Sequence, residues 1–248
     1  MSDPETLLTL DKVISGYGKM TILNGVTATI RKAAITTVIG PNGAGKSTMF
    51  KAIFGLLPVR SGRIMLDDAD TANLRPRRML AEGVCYIPQG RNIFPELSVK
   101  HNLELGGVAL PDGTGLTGRV DAMMERFPML REKRNAQAGT LSGGQQKLLE
   151  VARGLLLDPR LILIDEPSIG LSPLLVAEVF GILKDLRDQG VTILMIEQNA
   201  RQALQMSDYG LVLEQGQTRI EDTAANILAD PRIAQLFLGG ALQPMEAL

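Results

Sequence analysis

Residues 40–48 read Gly-Pro-Asn-Gly-Ala-Gly-Lys-Ser-Thr, a run of glycines, a lysine and hydroxyls suited to holding a polyphosphate. Gly40, Gly43 and Gly45, with Pro41, Asn42 and Ala44 between them, let the backbone curl so that its N–H groups point inward. The Lys46 ammonium can reach β- and γ-phosphates, the Ser47 hydroxyl can ligand Mg2+, and Thr48 carries the loop into a helix whose dipole favours anions. A second glycine turn, Leu141-Ser-Gly-Gly-Gln-Gln146, also opens a helix and offers N–H groups to an anion. Asp165 and Glu166 then emerge together from the apolar run at 161–164, where α/β sheets bind ligands. Successive residues of an extended chain point to opposite faces, so the two carboxylates are expected to do different jobs.

These groups need elements to position them. The β-branched run 35–39 before the glycine loop and the helix expected over 47–54 give strand, loop and helix in the order a phosphate loop requires. Ahead of them, 7–13 and 26–30 read as a hairpin-like pair. Tyr17 sits between two glycines in the turn at 15–19, free to project toward a flat ligand. Residues 55–62 read as a link, 63–66 as a short strand, and 74–81 as a helical piece whose arginines form a solvated face. A strand at 84–87 ends at Pro88-Gln89-Gly90.

From there the pattern changes to a largely helical insertion at 89–140. Ser98 caps its first helix, a glycine-rich loop spans 106–118, and 120–127 is amphipathic. The α/β pattern resumes with helices at 145–157, 173–188 and 200–206, strands at 161–164 and 191–196, and a hairpin of 211–213 with 218–220. Two short helical pieces and a tail at 239–248 close the chain.

Lys plus Arg number 26 and Asp plus Glu 27, giving a net charge of -1, so no basic excess points to a nucleic-acid partner. Although 45% of residues are hydrophobic, no apolar run approaches the roughly 18–20 residues that cross a bilayer. The acidic start Met-Ser-Asp-Pro-Glu-Thr lacks the basic and apolar regions of an export signal, so a cytosolic address is expected. Cys85, the single cysteine, lies in an apolar stretch and reads as a buried strand residue. His101, the single histidine, is expected on the surface, with no second histidine or cysteine cluster to complete a metal site.

The glycine loop at 40, Leu-Ser-Gly-Gly-Gln at 141 and Leu-Ile-Leu-Ile-Asp-Glu at 161 occur in the order seen in the ATP-binding cassette of ABC transporters, which the chain resembles over about residues 7–238. The resemblance implies one α/β domain: a P-loop NTPase (RecA-like) core with an antiparallel β subdomain and an inserted helical subdomain. Its expected divisions are 1–88, 89–140, 141–215 and 216–248. It also implies an ATP hydrolase in which two cassettes, identical or different, pair head to tail around ATP and Mg2+. Lys46 and residues 40–48 of one chain would then face the signature turn Ser142, Gly143, Gly144 and Gln145 of the other, with Ser142 and Gly144 on the γ-phosphate. Tyr17 would stack on adenine, Asp165 would orient Mg2+ beside Ser47, Glu166 would position or deprotonate the attacking water, and Gln89 would sense Mg2+ and γ-phosphate.

Two positions depart from the general pattern. Gln198 stands where a switch histidine is usual, and Ser172 where many cassettes have aspartate. Glutamine carries no proton charge, but its amide can donate to a phosphate and accept from water. With Glu-Gln-Asn-Ala at 197, Gly-Leu-Ser-Pro at 170 and Pro-Gln-Gly-Arg-Asn-Ile-Phe-Pro at 88, these departures resemble the importer subunits that energise branched-chain amino-acid uptake. That implies two transmembrane permease subunits, a solute-binding protein and a peripheral place on the cytoplasmic face of the inner membrane. Phe94 would be an apolar anchor for the permease, against the alternative that it belongs to the core of the insertion. Urea or amide import and lipid export are the alternatives within transport. A soluble cassette ATPase acting on nucleic acid usually has a long coiled-coil insertion or two cassettes in one chain, and neither is present here.

Overall fold

The computed structural model describes residues 5–110 and 115–233, so the expected tail and residues 111–114 of the expected loop lie outside it. Its centre is a six-stranded sheet of β3 (Ile35–Ile39), β6 (Val84–Ile87), β7 (Leu161–Asp165), β8 (Thr192–Ile196), β9 (Tyr209–Glu214) and β10 (Gln217–Thr223). The strand order is β10-β9-β3-β8-β7-β6. All neighbours are parallel except the edge pair β9 and β10, a hairpin.

Parallel strands are covered on both faces, which is why these read as unbroken apolar runs. Along β7, Ile162 and Ile164 enter one core while Leu161 and Leu163 enter the other; along β8, Ile193 and Met195 face the first, Leu194 and Ile196 the second. The first core packs the sheet on α6 (Gly143–Leu155) and α7 (Pro173–Asp188) and runs into the helical insertion of α3 (Val99–Gly106), α4 (Leu116–Arg126) and α5 (Pro128–Glu132). The second packs it on α1 (Lys46–Ile53) and an antiparallel sheet ordered β2-β1-β4-β5. In that sheet β1 (Thr6–Ser15) pairs with both β2 (Leu23–Arg31) and β4 (Val59–Leu66), and β5 (Ala69–Asp70) lies at the edge. A smaller cluster seats α8 (Ala200–Met206) and α9 (Ala224–Ala229), while α2 (Pro76–Ala81) precedes β6.

Besides the unexpected short strand β5 and the start of α4 at Leu116 inside the expected loop, two differences have a clear local cause. Strand β4 starts at Val59 inside the expected link, because pairing with Ser15 and Ile14 of β1 holds a stretch whose exposed Arg60, Ser61 and Gly62 show no apolar alternation. Helix α5, not expected, is a single turn started by Pro128. Cys85 is 6% exposed in β6, and burial pushes its thiol pKa up to about 12. At pH 8 it should alkylate only as the protein unfolds; labelling of native protein at the rate of a free thiol would contradict this placement.

Candidate functional site

Five loops leave the carboxyl ends of adjacent core strands, and the strand order sets which of their side chains meet. The glycine loop at 40–48 leaves β3. Gly40 has φ 150, and a Cβ there would lie 2.0 Å from the Leu213 carbonyl oxygen of the neighbouring strand. Gly45, at φ 100, caps α1 in the left-handed region. The Lys46 ammonium, 8% exposed, folds over the loop and donates to the carbonyls of Gly40 (2.8 Å) and Pro41 (3.1 Å). Burial lowers its pKa, and the charges of Glu166 and Asp165 oppose that shift. Thr48 is buried in the packed face of α1. Tyr17 is brought beside the same helix, where Lys51 Nζ donates to its hydroxyl at 3.2 Å, and the ring stays exposed.

Asp165 ends β7 almost fully buried. Burial raises its pKa, and the nearby Ser47 hydroxyl works against that. Among the described residues its Oδ1 has no hydrogen-bond partner. A hydroxyl beside a carboxylate with an unused oxygen is a hard-oxygen donor set that fits Mg2+. Among the described residues no group of three or more His, Cys, Asp or Glu could hold a metal alone, so such an ion would complete its shell with phosphate oxygens and water.

Glu166 departs from the strand with φ 50, a conformation rare outside glycine and found at constrained functional positions. Its backbone N–H donates to Ile196 O at 2.9 Å. The side chain, 7% exposed, accepts from Gln89 Nε2 at Oε2 (2.7 Å) and from Gln198 Nε2 at Oε1 (2.9 Å). Both glutamines are exposed and must present their NH2 groups, because an ionised carboxylate only accepts. Asp165 and Glu166 therefore serve different partners, as expected, but because the chain turns at Glu166 rather than through strand alternation, which ends at Asp165.

The turn at 142–145 lies at the start of α6 with a capping box: Gln145 N donates to Ser142 Oγ (3.4 Å) and Ser142 N to Gln145 Oε1 (3.1 Å). Gly143 is exposed, whereas Gly144 is buried where a Cβ would come within 2.5 Å of Leu175. Among the described residues no hydrogen bond joins this turn to 40–48. The fold brings Lys46, Ser47, Gln89, Asp165, Glu166 and Gln198 together and leaves residues 142–145 as a separate turn at the start of α6.

The sequence profile of the ABC transporter family matches residues 23–169. The chain belongs to that family. It is an ATP-binding cassette, an ATP hydrolase coupled to transport. It is 38% identical to the high-affinity branched-chain amino acid transport ATP-binding protein BraG of Pseudomonas aeruginosa, over 94% of this chain and 100% of that protein. It is 32% identical to the lipopolysaccharide export ATP-binding protein LptB of Escherichia coli, over 94% and 97%. A nucleotide-free ATP-binding cassette from an ABC transporter superposes with a TM-score of 0.85 at 28% identity, over 94% of this chain and 98% of that one.

The cassette also uses residues that sequence reasoning passed over. On α6, Lys147 Nζ pairs with Glu150 Oε2 at 2.6 Å, and both side chains are nearly fully buried. Glu150 Oε1 accepts from Asn92 N (2.6 Å), Lys147 donates to Gly90 O (3.3 Å), and Arg153 donates to Asn92 O. Three charged side chains spaced three apart thus pin the segment after Gln89 to the helix that carries the 142–145 turn. The spacing was visible, but periodicity marks only the apolar face of a helix. Glu197, 2% exposed, accepts from Ser168 N, Ser168 Oγ and Gln198 N; burial raises its pKa, opposed by those hydrogen bonds. A groove of about 920 Å³ opens between α2, the end of β6, α3 and α6, with Leu80, Ile93, Phe94, Leu105 and Val108 on its apolar wall. Phe94 is 51% exposed there, so it is not part of the core of the insertion.

Proposed function

We propose that this cassette is the motor of an importer for branched-chain amino acids, bound peripherally at the cytoplasmic face of the inner membrane. The observation that carries the catalytic part is the grip of Gln89 and Gln198 on buried Glu166 beside the phosphate loop. In this reading residues 40–48 cradle the phosphates of ATP, Lys46 neutralises charge on the β- and γ-phosphates, and Tyr17 stacks on adenine. Ser47 and Asp165, with the Gln89 amide, would hold Mg2+, which when bound neutralises phosphate charge. Glu166 orients and takes the proton of the attacking water, while Gln198 donates to the γ-phosphate and accepts from that water. The Ser142–Gln145 turn, unattached to the loop of its own chain, serves the ATP of a second cassette.

The solute class rests on the likeness to BraG along nearly the whole chain. Lipid export is the second reading, favoured by the 32% identity to LptB over a similar span. No cassette residue need touch the solute, so purification decides: tagged protein drawn from its native membranes should retain two permease chains and a second cassette. A branched-chain amino-acid binding protein should dock on that assembly. Recovery with lipid-export components, or with none of these chains, overturns the importer reading.

The groove and its exposed Phe94 fit an apolar element presented by a permease subunit. Phe94→Ala should uncouple transport several-fold in reconstituted vesicles while ATP hydrolysis by the free cassette stays within about twofold of wild type. Equal transport by both proteins would remove Phe94 from the interface.

A further inference from the structure

Between the two loops nearest Glu166 lies a carboxylate to which none of these roles is given. Glu197 is the last residue before Gln198 and is almost completely withdrawn from solvent. Among the described residues no lysine, arginine or histidine pairs with it. An ionised carboxylate in such a place is costly unless its oxygens are satisfied by donors. Its donors are few and come from two directions. Oε1 accepts from the Ser168 backbone N–H at 2.8 Å, while Oε2 accepts from the Ser168 hydroxyl at 2.7 Å and from the Gln198 backbone N–H at 3.2 Å. Ser168 begins the loop that runs through exposed Ile169 and through Gly170 at φ 72 to Ser172, the N-cap of α7. Gln198 holds Glu166 through its side chain at 2.9 Å.

We infer that Glu197 is a positioning residue for ATP hydrolysis, a single buried acceptor that locks the backbone of Gln198 to the 168–172 loop. The inference rests on the proposed role of Glu166 and Gln198. A displacement of the 168–172 loop, whose exposed Ile169 is available to a second cassette, pulls on Ser168 and through the Glu197 carboxylate on the residue that orients water. Geometry at the reacting centre is sensitive to such shifts, a 1 Å misplacement costing up to about 100-fold in rate. A purely architectural role would satisfy the same donors and leave the chemical step alone, and the two are separable by experiment.

Glu197→Gln keeps the shape but replaces one acceptor oxygen by an NH2 donor, so the three donors cannot all be satisfied. Steady-state ATP hydrolysis is measured for the full-length chain, alone and in the transporter that copurifies with it. We expect kcat to fall by about 10-fold or more, with KM for ATP within about twofold and the thermal midpoint little changed. Ser168→Ala should lower kcat in the same direction, Ser168→Thr should restore it by returning the hydroxyl, and the Glu197→Gln, Ser168→Ala double variant should be no slower than Glu197→Gln alone. Gln198→Ala and Glu166→Gln are run beside them. If those two lose turnover while Glu197→Gln keeps wild-type kcat, Glu197 does not position the site and the inference is overturned. A kcat that falls only in step with the thermal midpoint, with both Ser168 variants at wild-type rate, also overturns it. Should Glu197→Gln fail to fold, the Ser168→Ala and Ser168→Thr contrast decides alone: a loss reversed by threonine supports the lock, and wild-type rates in both refute it. If Gln198→Ala and Glu166→Gln retain full turnover, the catalytic reading itself has failed.

Discussion

Glu166→Gln should cut ATP turnover by about 10²- to 10⁴-fold, the usual contribution of a positioned general base, and leave nucleotide affinity nearly intact. The substitution preserves volume in a site that is 7% exposed, so packing is not disturbed. It does disturb the donors. The carboxylate accepts from the amides of both Gln89 and Gln198, and an amide in its place presents NH2 to one of them, so one glutamine must flip its amide to accept or else lose the bond. The groups proposed to hold the triphosphate lie in residues 40–48 and share no hydrogen bond with Glu166, although Lys46 loses the influence of its charge. ATP therefore binds and persists. Paired cassettes should then accumulate, and light scattering with ATP should report a stable dimer while equilibrium binding reports a near-normal Kd. A protein that binds ATP yet stays monomeric would count against ATP being shared between two cassettes.

The second large effect is on stability. Lys147→Ala leaves the Glu150 carboxylate buried without its cation, and breaking one side of a buried pair typically costs about 3–5 kcal/mol. At about 2–4 °C per kcal/mol for a domain of this size, the thermal midpoint should drop by roughly 6–20 °C. The loss also frees Gly90, to which Lys147 donates, and so loosens the segment that follows Gln89. Replacing both partners by apolar residues of similar size, Lys147→Met with Glu150→Leu, should recover part of the stability, because no uncompensated charge is then left buried. The recovery is incomplete, since Glu150 also accepts the Asn92 N–H. Thermal unfolding of the two variants beside wild type, followed by circular dichroism, measures this directly, and a single variant within 1 °C of wild type would mean that the pair contributes little.

Much of the secondary structure is legible along the chain because its signals are local. Helix α7 spans Pro173–Asp188 as its apolar periodicity and N-terminal proline predict, α8 spans Ala200–Met206, and Ser98 caps α3. The glycine loop, the two carboxylates after β7 and the capped turn at Ser142 are likewise written in short stretches. Strand β4 was read short because its first half has exposed polar residues and gains its ladder from β1, more than forty residues away in sequence.

The sequence by itself determined that a glycine loop opening a helix, a pair of adjacent carboxylates and a second, capped glycine turn exist on an α/β scaffold, since each depends on residues adjacent in the chain. Only the tertiary structure decided which side chains meet. Gln89 and Glu166 are 77 residues apart, and Gln198 lies 32 residues beyond Glu166. They converge because β6, β7 and β8 are neighbours in one parallel sheet and all point their carboxyl ends the same way. The pairing of Glu197 with Ser168 and the seating of Asn92 on Glu150 and Arg153 follow from the same order. Each is a contact between loops or helices fixed by strand neighbours, and no periodicity or spacing within one segment encodes it.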